Sequence, residues 1–172
     1  IGSSGFIGKA VLDNLVIQNI DCIGLSSNEA DLLTVEGTLS LKNILNDNDK
    51  IIFISALAPC KDKQMFDKNL LMINNFLKAI RNINLRHILY VSSDAVYEDS
   101  LYLISEKNNR IADNYHGKMH IKREDIEHGV QHKVGVGGGK DVFFWGTLVS
   151  SLPEFLSGAI YCNNYHHSHQ TQ

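Results

Sequence analysis

The stretch Gly2-Ser3-Ser4-Gly5-Phe6-Ile7-Gly8 decides the fold of this 172-residue chain. Its glycines have the spacing G-x-x-G-x-x-G, and a helical pattern with Val11 and Leu15 on one face begins directly behind them. Glycine permits a tight turn and a close approach of the backbone to phosphate, and a helix N-terminus attracts anions. The stretch therefore predicts a pyrophosphate-binding loop, with Gly2, Ser4, Gly5, Phe6, Ile7 and Gly8 as the cofactor-binding residues. Such a loop normally follows a complete strand, and only Ile1 precedes it here, so we expect the first strand to be missing from this sequence.

Apolar segments alternate with helical patterns downstream of the loop. Residues 50–56 and 87–92 are apolar on both faces, as in parallel strands covered by helices, and residues 21–25 are predicted as a further strand. Helices are predicted over 6–19, from a cap at Thr34 to about 46, and from a cap at Asp113 or Asn114 to about 128. A longer helix after the polar stretch 59–63 carries an apolar stripe of Phe66, Leu70, Ile73, Leu77 and Ile80. The fold class is therefore α/β, a Rossmann-type doubly wound parallel sheet that is incomplete at the N-terminus.

The composition changes after residue 128. Residues 1–128 are predicted as a Rossmann-like dinucleotide-binding domain, and 129–172 as an atypical tail that is partly irregular or disordered, with a short strand near 141–145. The tail holds His166, His167 and His169, but no acidic or cysteine partner gives them the spacing of a metal site, so none is predicted.

Charge and cysteine content exclude several classes of protein. The net charge is -3, with 16 basic and 19 acidic residues, which does not favour nucleic acid or an anionic membrane as a partner. No apolar run approaches the roughly 20 residues that span a bilayer. The three cysteines form no C-x-x-C pair, which fits a reducing compartment, and a cytoplasmic location is expected.

The position expected to contact the ribose of a dinucleotide carries no acid. About 20 residues after the loop, where an Asp or Glu binds the 2′-hydroxyl, the sequence reads Leu25-Ser26-Ser27-Asn28. No Arg is present there to hold a 2′-phosphate either. Ser26 or Ser27 could hydrogen-bond either form of ribose, so the cofactor is NAD or NADP.

With the glycine loop, the S-S-x-x-V-Y segment at 92–97 and the Tyr115 helix in view, the chain resembles the extended short-chain dehydrogenase/reductase family. The resemblance covers about residues 1–128 and is greatest to the NAD-dependent epimerase/dehydratase branch, which acts on nucleotide sugars. It implies that Ser93 hydrogen-bonds the reacting oxygen, while Asp94 occupies a position that is a general acid in some relatives. It also implies cofactor contacts or bracing by Asp31, Leu32, Ala56, Leu57, Ala58 and Asn69.

The catalytic Y-x-x-x-K pair of that family is off-pattern in this chain. Four residues after Tyr115 comes Met119, so the predicted catalytic pair is Tyr115 with Lys118 in a shifted geometry. A second alignment places His116 and His120 at the two positions, although either one could simply be a solvated helix residue. A third interpretation is a domain that binds a dinucleotide without turnover. Residues 122–125 are predicted as an exposed helical face.

The resemblance implies an NAD(P)-dependent epimerase/dehydratase-like oxidoreductase that transfers hydride at a hydroxyl or keto carbon of a nucleotide sugar. One alternative is a non-catalytic dinucleotide-binding module, and another is an enzyme like the dTDP-4-keto-sugar reductases. A nucleotide sugar is the expected partner, and a homodimer is a further expectation for the full-length protein. Sequence alone does not name the sugar.

Overall fold

A computed structural model describes residues 1–99, 104, 108–131 and 140–143 of the chain. The helices within these described residues are α1 (Phe6–Ile17), α2 (Val35–Ile44), α3 (Lys63–Ile80) and α4 (Tyr115–Gln131). In the same part of the chain the strands are β1 (Lys50–Phe53), β2 (His87–Val91) and β3 (Lys140–Phe143), and a short 3-10 helix spans Asp94–Val96. The predicted helices and the strands after residue 49 are all present, with ends shifted by a few residues.

The strands form one parallel sheet in the order β1-β2-β3. Lys50 pairs with His87 at one end of the β1–β2 ladder, and Ile88 pairs with Lys140 between β2 and β3. Strand β3 confirms the short strand predicted near 141–145. Residues 129–131 of the predicted tail belong to the end of α4, and apart from β3 its other residues, including its histidines, lie outside the described residues.

Helices cover both faces of the sheet. Alternate strand residues point to opposite sides, so each strand contributes side chains to both packed faces. Phe53 and Tyr90 pack with α2 and α3 in the larger core, where the Phe53 ring stacks on Phe76 at a centroid distance of 4.4 Å. On the other face, Leu89 and Val91 pack against the α1 residues Val11 and Leu15. Helices on both faces of a parallel sheet confirm the predicted doubly wound α/β class.

Side chains cap α2 and α4 where the sequence predicts, and a further side chain caps α3. The hydroxyl of Thr34 accepts a hydrogen bond from the Gly37 N–H at 2.9 Å, and Asn114 Oδ1 accepts one from the Gly117 N–H at 2.8 Å. Asp62, at the end of the polar stretch before α3, does the same for α3. Such caps satisfy N–H groups that have no partner within a helix, so they set where each helix begins.

The prediction of a strand over residues 21–25 is wrong. A strand exists only where a neighbouring backbone pairs with it, and a cavity of about 490 Å³ separates residues 20–25 from the edge of β1. Ile1 lies along that edge of β1, where its nitrogen donates to the Ile52 carbonyl at 2.7 Å and its carbonyl accepts from the Ile54 N–H at 2.9 Å. The cavity therefore continues from Ile1, which pairs with β1 on this side.

Within the described residues, no helix is both long enough and apolar enough to cross a membrane.

Candidate functional site

The glycine loop is held between two chain segments by contacts that only glycine allows. Gly2 has a φ of +94°, and a Cβ built there would lie 2.8 Å from the Ser55 nitrogen just beyond β1. A Cβ on Gly8 would lie 1.9 Å from the Gly2 carbonyl oxygen. The N–H groups of Gly2 and Ser3 both donate to the Leu25 carbonyl, at 2.8 and 3.1 Å. The loop is thereby fixed between the end of segment 21–25 and the end of β1.

Helix α1 presents its N-terminus directly behind this loop. The N-cap residue Gly5 has φ −73° and ψ 165°, and no side chain caps the helix there. Phe6 is 88% exposed and Ser4 is also exposed, so the first turn opens to solvent. Uncapped N–H groups and the positive end of the helix dipole fit a phosphate or pyrophosphate. The residues of the predicted loop therefore fit a dinucleotide.

Glu29, an acidic residue that the sequence interpretation missed, lies in the turn that follows segment 21–25. Both the backbone N–H and the hydroxyl of Ser26 donate to Glu29 Oε2, at 2.8 and 2.6 Å. These hydrogen bonds, that of the hydroxyl first, lower the pKa of the Glu29 carboxyl. The S-x-x-E spacing of a capping box was the signal that could have found it. Ser27 is exposed in the same turn.

The Asp31-Leu32 pair lies in a turn after which the Leu32 side chain enters the core. Asp31 Oδ1 accepts a hydrogen bond from the Leu33 N–H at 2.9 Å, while the Leu32 side chain is 3% exposed and packs in the larger core. Asn75 donates to the Leu32 carbonyl at 2.9 Å. The Leu32 side chain thus packs inward, and the predicted contact of this pair with adenine stays a prediction.

Asn69 braces the segment that leaves β1. Its Oδ1 accepts a hydrogen bond from the Leu57 N–H at 2.9 Å, and its Nδ2 donates to the Leu57 carbonyl at 3.0 Å. The Asn69 side chain is fully buried, so α3 holds the chain at 56–58 in a defined place. In that segment Ala56 and Leu57 are half-buried and Ala58 is exposed.

Ser93 lies just beyond β2, at the carboxyl end of the sheet where open α/β folds bind ligands. Its hydroxyl accepts a hydrogen bond from the Ala95 N–H at 3.2 Å and donates to Asp94 Oδ1 at 3.2 Å. Ser93 therefore caps the 3-10 helix and remains half-buried at the mouth of the site.

Helix α4 divides its residues between two faces. Tyr115 is 43% exposed, and Lys118 is exposed and donates from its ammonium to the Asp113 carbonyl at 2.7 Å. Lys122 and Asp125 continue this exposed face. The predicted pair of Tyr115 and Lys118 therefore lies on the solvent side of the helix.

The opposite face of α4 is polar and buried. His116 is half-buried, while His120, Arg123 and Glu124 are 5%, 1% and 3% exposed. The interpretation of His120 as a solvated residue is wrong, and so is the prediction that 122–125 form an exposed face, because Arg123 and Glu124 point into the protein.

Tertiary partners explain why these charged side chains are buried. Arg123 Nη2 donates to the Ser55 carbonyl at 2.6 Å, and its guanidinium lies over the rings of Phe53 and Tyr90, at 5.4 and 5.2 Å. Arg123 therefore ties α4 to the end of β1, beside the glycine loop.

Glu124 ties the same helix to β2. Its carboxylate accepts hydrogen bonds from the Ser92 hydroxyl and from Arg110 Nη1, the latter at 2.7 Å. These bonds hold the middle of α4 against the carboxyl ends of both strands, although no hydrophobic stripe predicts this packing.

A family model described as the NAD dependent epimerase/dehydratase family matches residues 1–116. The chain belongs to this family. The matched region runs from the glycine loop through Ser93 to His116 at the start of α4. No curated protein sequence matches the chain.

Solved structures share the fold. The chain is 20% identical to UDP-N-acetylglucosamine 4-epimerase from Bacillus cereus, with a TM-score of 0.69 over 92% of this chain and 72% of that one. It is 18% identical to a GDP-L-fucose synthetase from Naegleria fowleri bound to NADP, with a TM-score of 0.67 over 83% and 51%. It is also 18% identical to UDP-glucuronic acid 4-epimerase from Bacillus cereus in complex with NAD, with a TM-score of 0.66 over 83% and 54%. The chain thus spans about half the length of the last two.

Proposed function

We propose that this chain binds NAD or NADP across the carboxyl ends of its strands and takes part in oxidoreductase chemistry on a nucleotide sugar. The observation that carries the proposal is the glycine loop, closed at Gly2 and Gly8 by contacts that exclude a Cβ, in front of an uncapped helix. A closed loop with free N–H groups supplies the donors that a pyrophosphate requires. Membership of an NAD dependent family supports the same cofactor class.

The other cofactor contacts follow the path from the loop along the sheet edge. Ser26 and Glu29 lie beside Leu25, to which the loop is bonded, so they would meet the ribose next to the pyrophosphate. Asp31 lies further out and would border the adenine. In the other direction, the Leu57 backbone held by Asn69 would border the nicotinamide half. When bound, the nicotinamide supplies a hydride donor or acceptor.

The substrate side of the site would be the edge formed by Ser93 and the start of α4. The Ser93 hydroxyl would release Asp94 and donate to the oxygen on the reacting carbon, which stabilises negative charge on that oxygen. The predicted pair of Tyr115 and Lys118 stays a prediction. The structural neighbours include UDP-sugar 4-epimerases and a GDP-L-fucose synthetase, and this supports a nucleotide sugar as substrate.

One observation favours a second candidate function. Because Lys118 donates to the Asp113 carbonyl on the exposed side of α4, its ammonium is engaged away from the buried face. A chain without a working catalytic pair would be a dinucleotide-binding module. Turnover separates the two functions, and net consumption of NADH or NADPH during turnover would identify a reductase rather than an epimerase.

The test is a fluorescence titration of the chain with NADH and NADPH, followed by assays with UDP-N-acetylglucosamine, UDP-glucose and UDP-glucuronic acid. We expect Gly8→Ala to weaken dinucleotide binding at least about tenfold, because its Cβ would open the loop at the Gly2 carbonyl. Asp13→Ala, on the exposed side of the same helix, is the matched control and should bind like the wild type. Failure of the wild type to bind either dinucleotide would refute the proposed function.

A further inference from the structure

We propose that His116 is the catalytic group at the reacting oxygen of the substrate, acting as a hydrogen-bond donor through Nε2, with His120 as its positioning residue. The inference rests on the proposed function and specifies which of the candidate pairs on α4 serves it. His116 and His120 are one helical turn apart on the buried side, and their rings meet edge to face at a centroid distance of 4.9 Å. Tyr115 and Lys118 lie on the exposed side.

A close backbone contact brings His116 to the carboxyl ends of the strands. At the next residue, Gly117, a Cβ would lie 2.0 Å from the Ala95 carbonyl oxygen and 2.5 Å from the Ala112 side chain. Glycine therefore lets α4 begin directly against the 3-10 helix that follows Ser93. From there, His116 Nδ1 reaches the loop after β1 and accepts a hydrogen bond from the Cys60 N–H at 3.3 Å. His116 thus bridges the chain segments that leave β1 and β2.

The bond to Cys60 selects one form of the His116 ring. A neutral imidazole has one nitrogen that accepts and one that donates, so a ring that accepts through Nδ1 carries its hydrogen on Nε2. Within the described part of the chain, this bond is the only one that the His116 ring makes, which leaves Nε2 for a ligand. Burial lowers the pKa of His116, while the nearby Asp94 carboxylate opposes the shift. The neutral donor is therefore the form present near pH 7.

A neutral N–H donor suits the chemistry at this position. When hydride from a bound dihydronicotinamide reaches a keto carbon, negative charge would develop on the oxygen of that carbon, and this oxygen would then take a proton from water at the mouth of the site. Oxidation of a hydroxyl would be the reverse, with hydride passing to the nicotinamide and the hydroxyl proton to water. A fixed donor aimed at that oxygen stabilises the charge more strongly in the transition state than in the ground state. Ser93, at the same strand end, would supply a second donor to the same oxygen. Neither donor needs to lose its proton for this effect.

His120 is built to hold the His116 ring in place. It is 5% exposed, and its Nδ1 lies 3.4 Å from the Tyr90 hydroxyl on β2. Burial first, then the charge of Arg123 and then the neighbouring His116 ring, which is itself protonated in acid, lower the pKa of His120 to about 3. An uncharged ring there packs against His116 without repelling it. Since His120 is covered on every side, its role is to orient His116 and not to touch substrate.

The test compares variants of the full chain in the sugar-nucleotide assays named above, with dinucleotide affinity measured for each. His116→Ala should lower kcat about 100-fold, the effect typical of removing one such donor, with NADH affinity unchanged. His116→Gln, whose amide N–H can take the place of Nε2–H, should restore at least a tenth of the lost rate. His120→Phe keeps a buried ring and should lower kcat without changing KM. Lys122→Ala, on the exposed face, is the matched control.

The competing pair gives the opposite pattern, in which Tyr115→Phe abolishes turnover and His116→Ala does not. That result would overturn the proposal, as would equal activity of His116→Ala and the wild type. Loss of turnover in His116→Ala without any rescue by His116→Gln also overturns it, because a donor role requires the rescue. A wild type that binds NADH but turns over none of the three sugars overturns the catalytic role in this chain. Failure of the wild type to bind NADH or NADPH refutes the proposed function itself.

Discussion

Acid should destabilise this protein through His120. The ring is 5% exposed, and its pKa in the folded chain is about 3, against an ordinary value of 6.5. Because the folded pKa is the lower one, the unfolded chain binds more protons between these two values. The contribution of His120 to stability is therefore complete above about pH 6.5 and is lost as the pH falls toward the folded pKa.

The size of the effect follows from the two pKa values. At pH 5 the unfolded ring is almost fully protonated while the buried ring is still neutral, which lowers the free energy of unfolding by about 2 kcal/mol relative to pH 7.5. This is a large part of the roughly 5–15 kcal/mol that stabilises a typical domain. His87 behaves in the same way, because burial and then Lys50 lower its pKa to about 4, and its contribution is equal in every variant compared below.

Urea denaturation at pH 7.5 and pH 5 measures the effect in the wild type, His120→Phe and Lys122→Ala. Phenylalanine loses the contact with the Tyr90 hydroxyl at both pH values, so that loss cancels in the comparison. We expect the pH-dependent drop in stability to be about 2 kcal/mol smaller in His120→Phe than in the wild type, and unchanged in Lys122→Ala. An equal drop in His120→Phe and the wild type, or a His120 pKa near 6.5 by NMR, would refute the reasoning.

Three further predictions concern the supports of the site. Glu29→Gln should lower the ratio of the NADPH to the NADH dissociation constant about fivefold, because an exposed carboxylate repels a 2′-phosphate. An unchanged ratio in the fluorescence titration would place Glu29 away from the ribose. Arg123→Met should lower the free energy of unfolding, measured by urea denaturation, by about 2 kcal/mol, because the Ser55 carbonyl loses its charged donor. A variant as stable as the wild type would show that the bond between Arg123 and Ser55 does not stabilise the fold. Gly117→Ala should lower the Tm by about 5 °C, because its Cβ would meet the Ala95 carbonyl, and a wild-type melting curve would show that the contact is not close.

Local features of the sequence predict the elements well. The apolar stripe of α3 recurs every three or four residues, and Ile73, Leu77 and Ile80 are all buried as that stripe requires. Thr34 and Asn114 cap their helices through hydrogen bonds that span three residues, so the sequence nearby carries the whole signal. Segment 21–25 has the same local signal as a strand but lacks a paired backbone, which periodicity does not reveal.

In the candidate site, too, local features were predictable from the sequence and contacts between distant residues were not. By itself the sequence determined the glycine loop, the family, and the order of the helices and of the strands after residue 49 in the described residues, because these depend on residue type and on short spacings. Only the tertiary structure decided which face of α4 meets the sheet, since that face carries His120, Arg123 and Glu124 beside the apolar Met119 and Ile126, and the polar residues interrupt any hydrophobic stripe. These polar side chains are buried because Tyr90, Ser55 and Ser92, distant in sequence, offer them hydrogen bonds or ring faces. Burial of a polar side chain is favourable only where hydrogen-bond or ring partners are available in the interior. The positions of those partners are set by the folded chain and not by the neighbouring sequence.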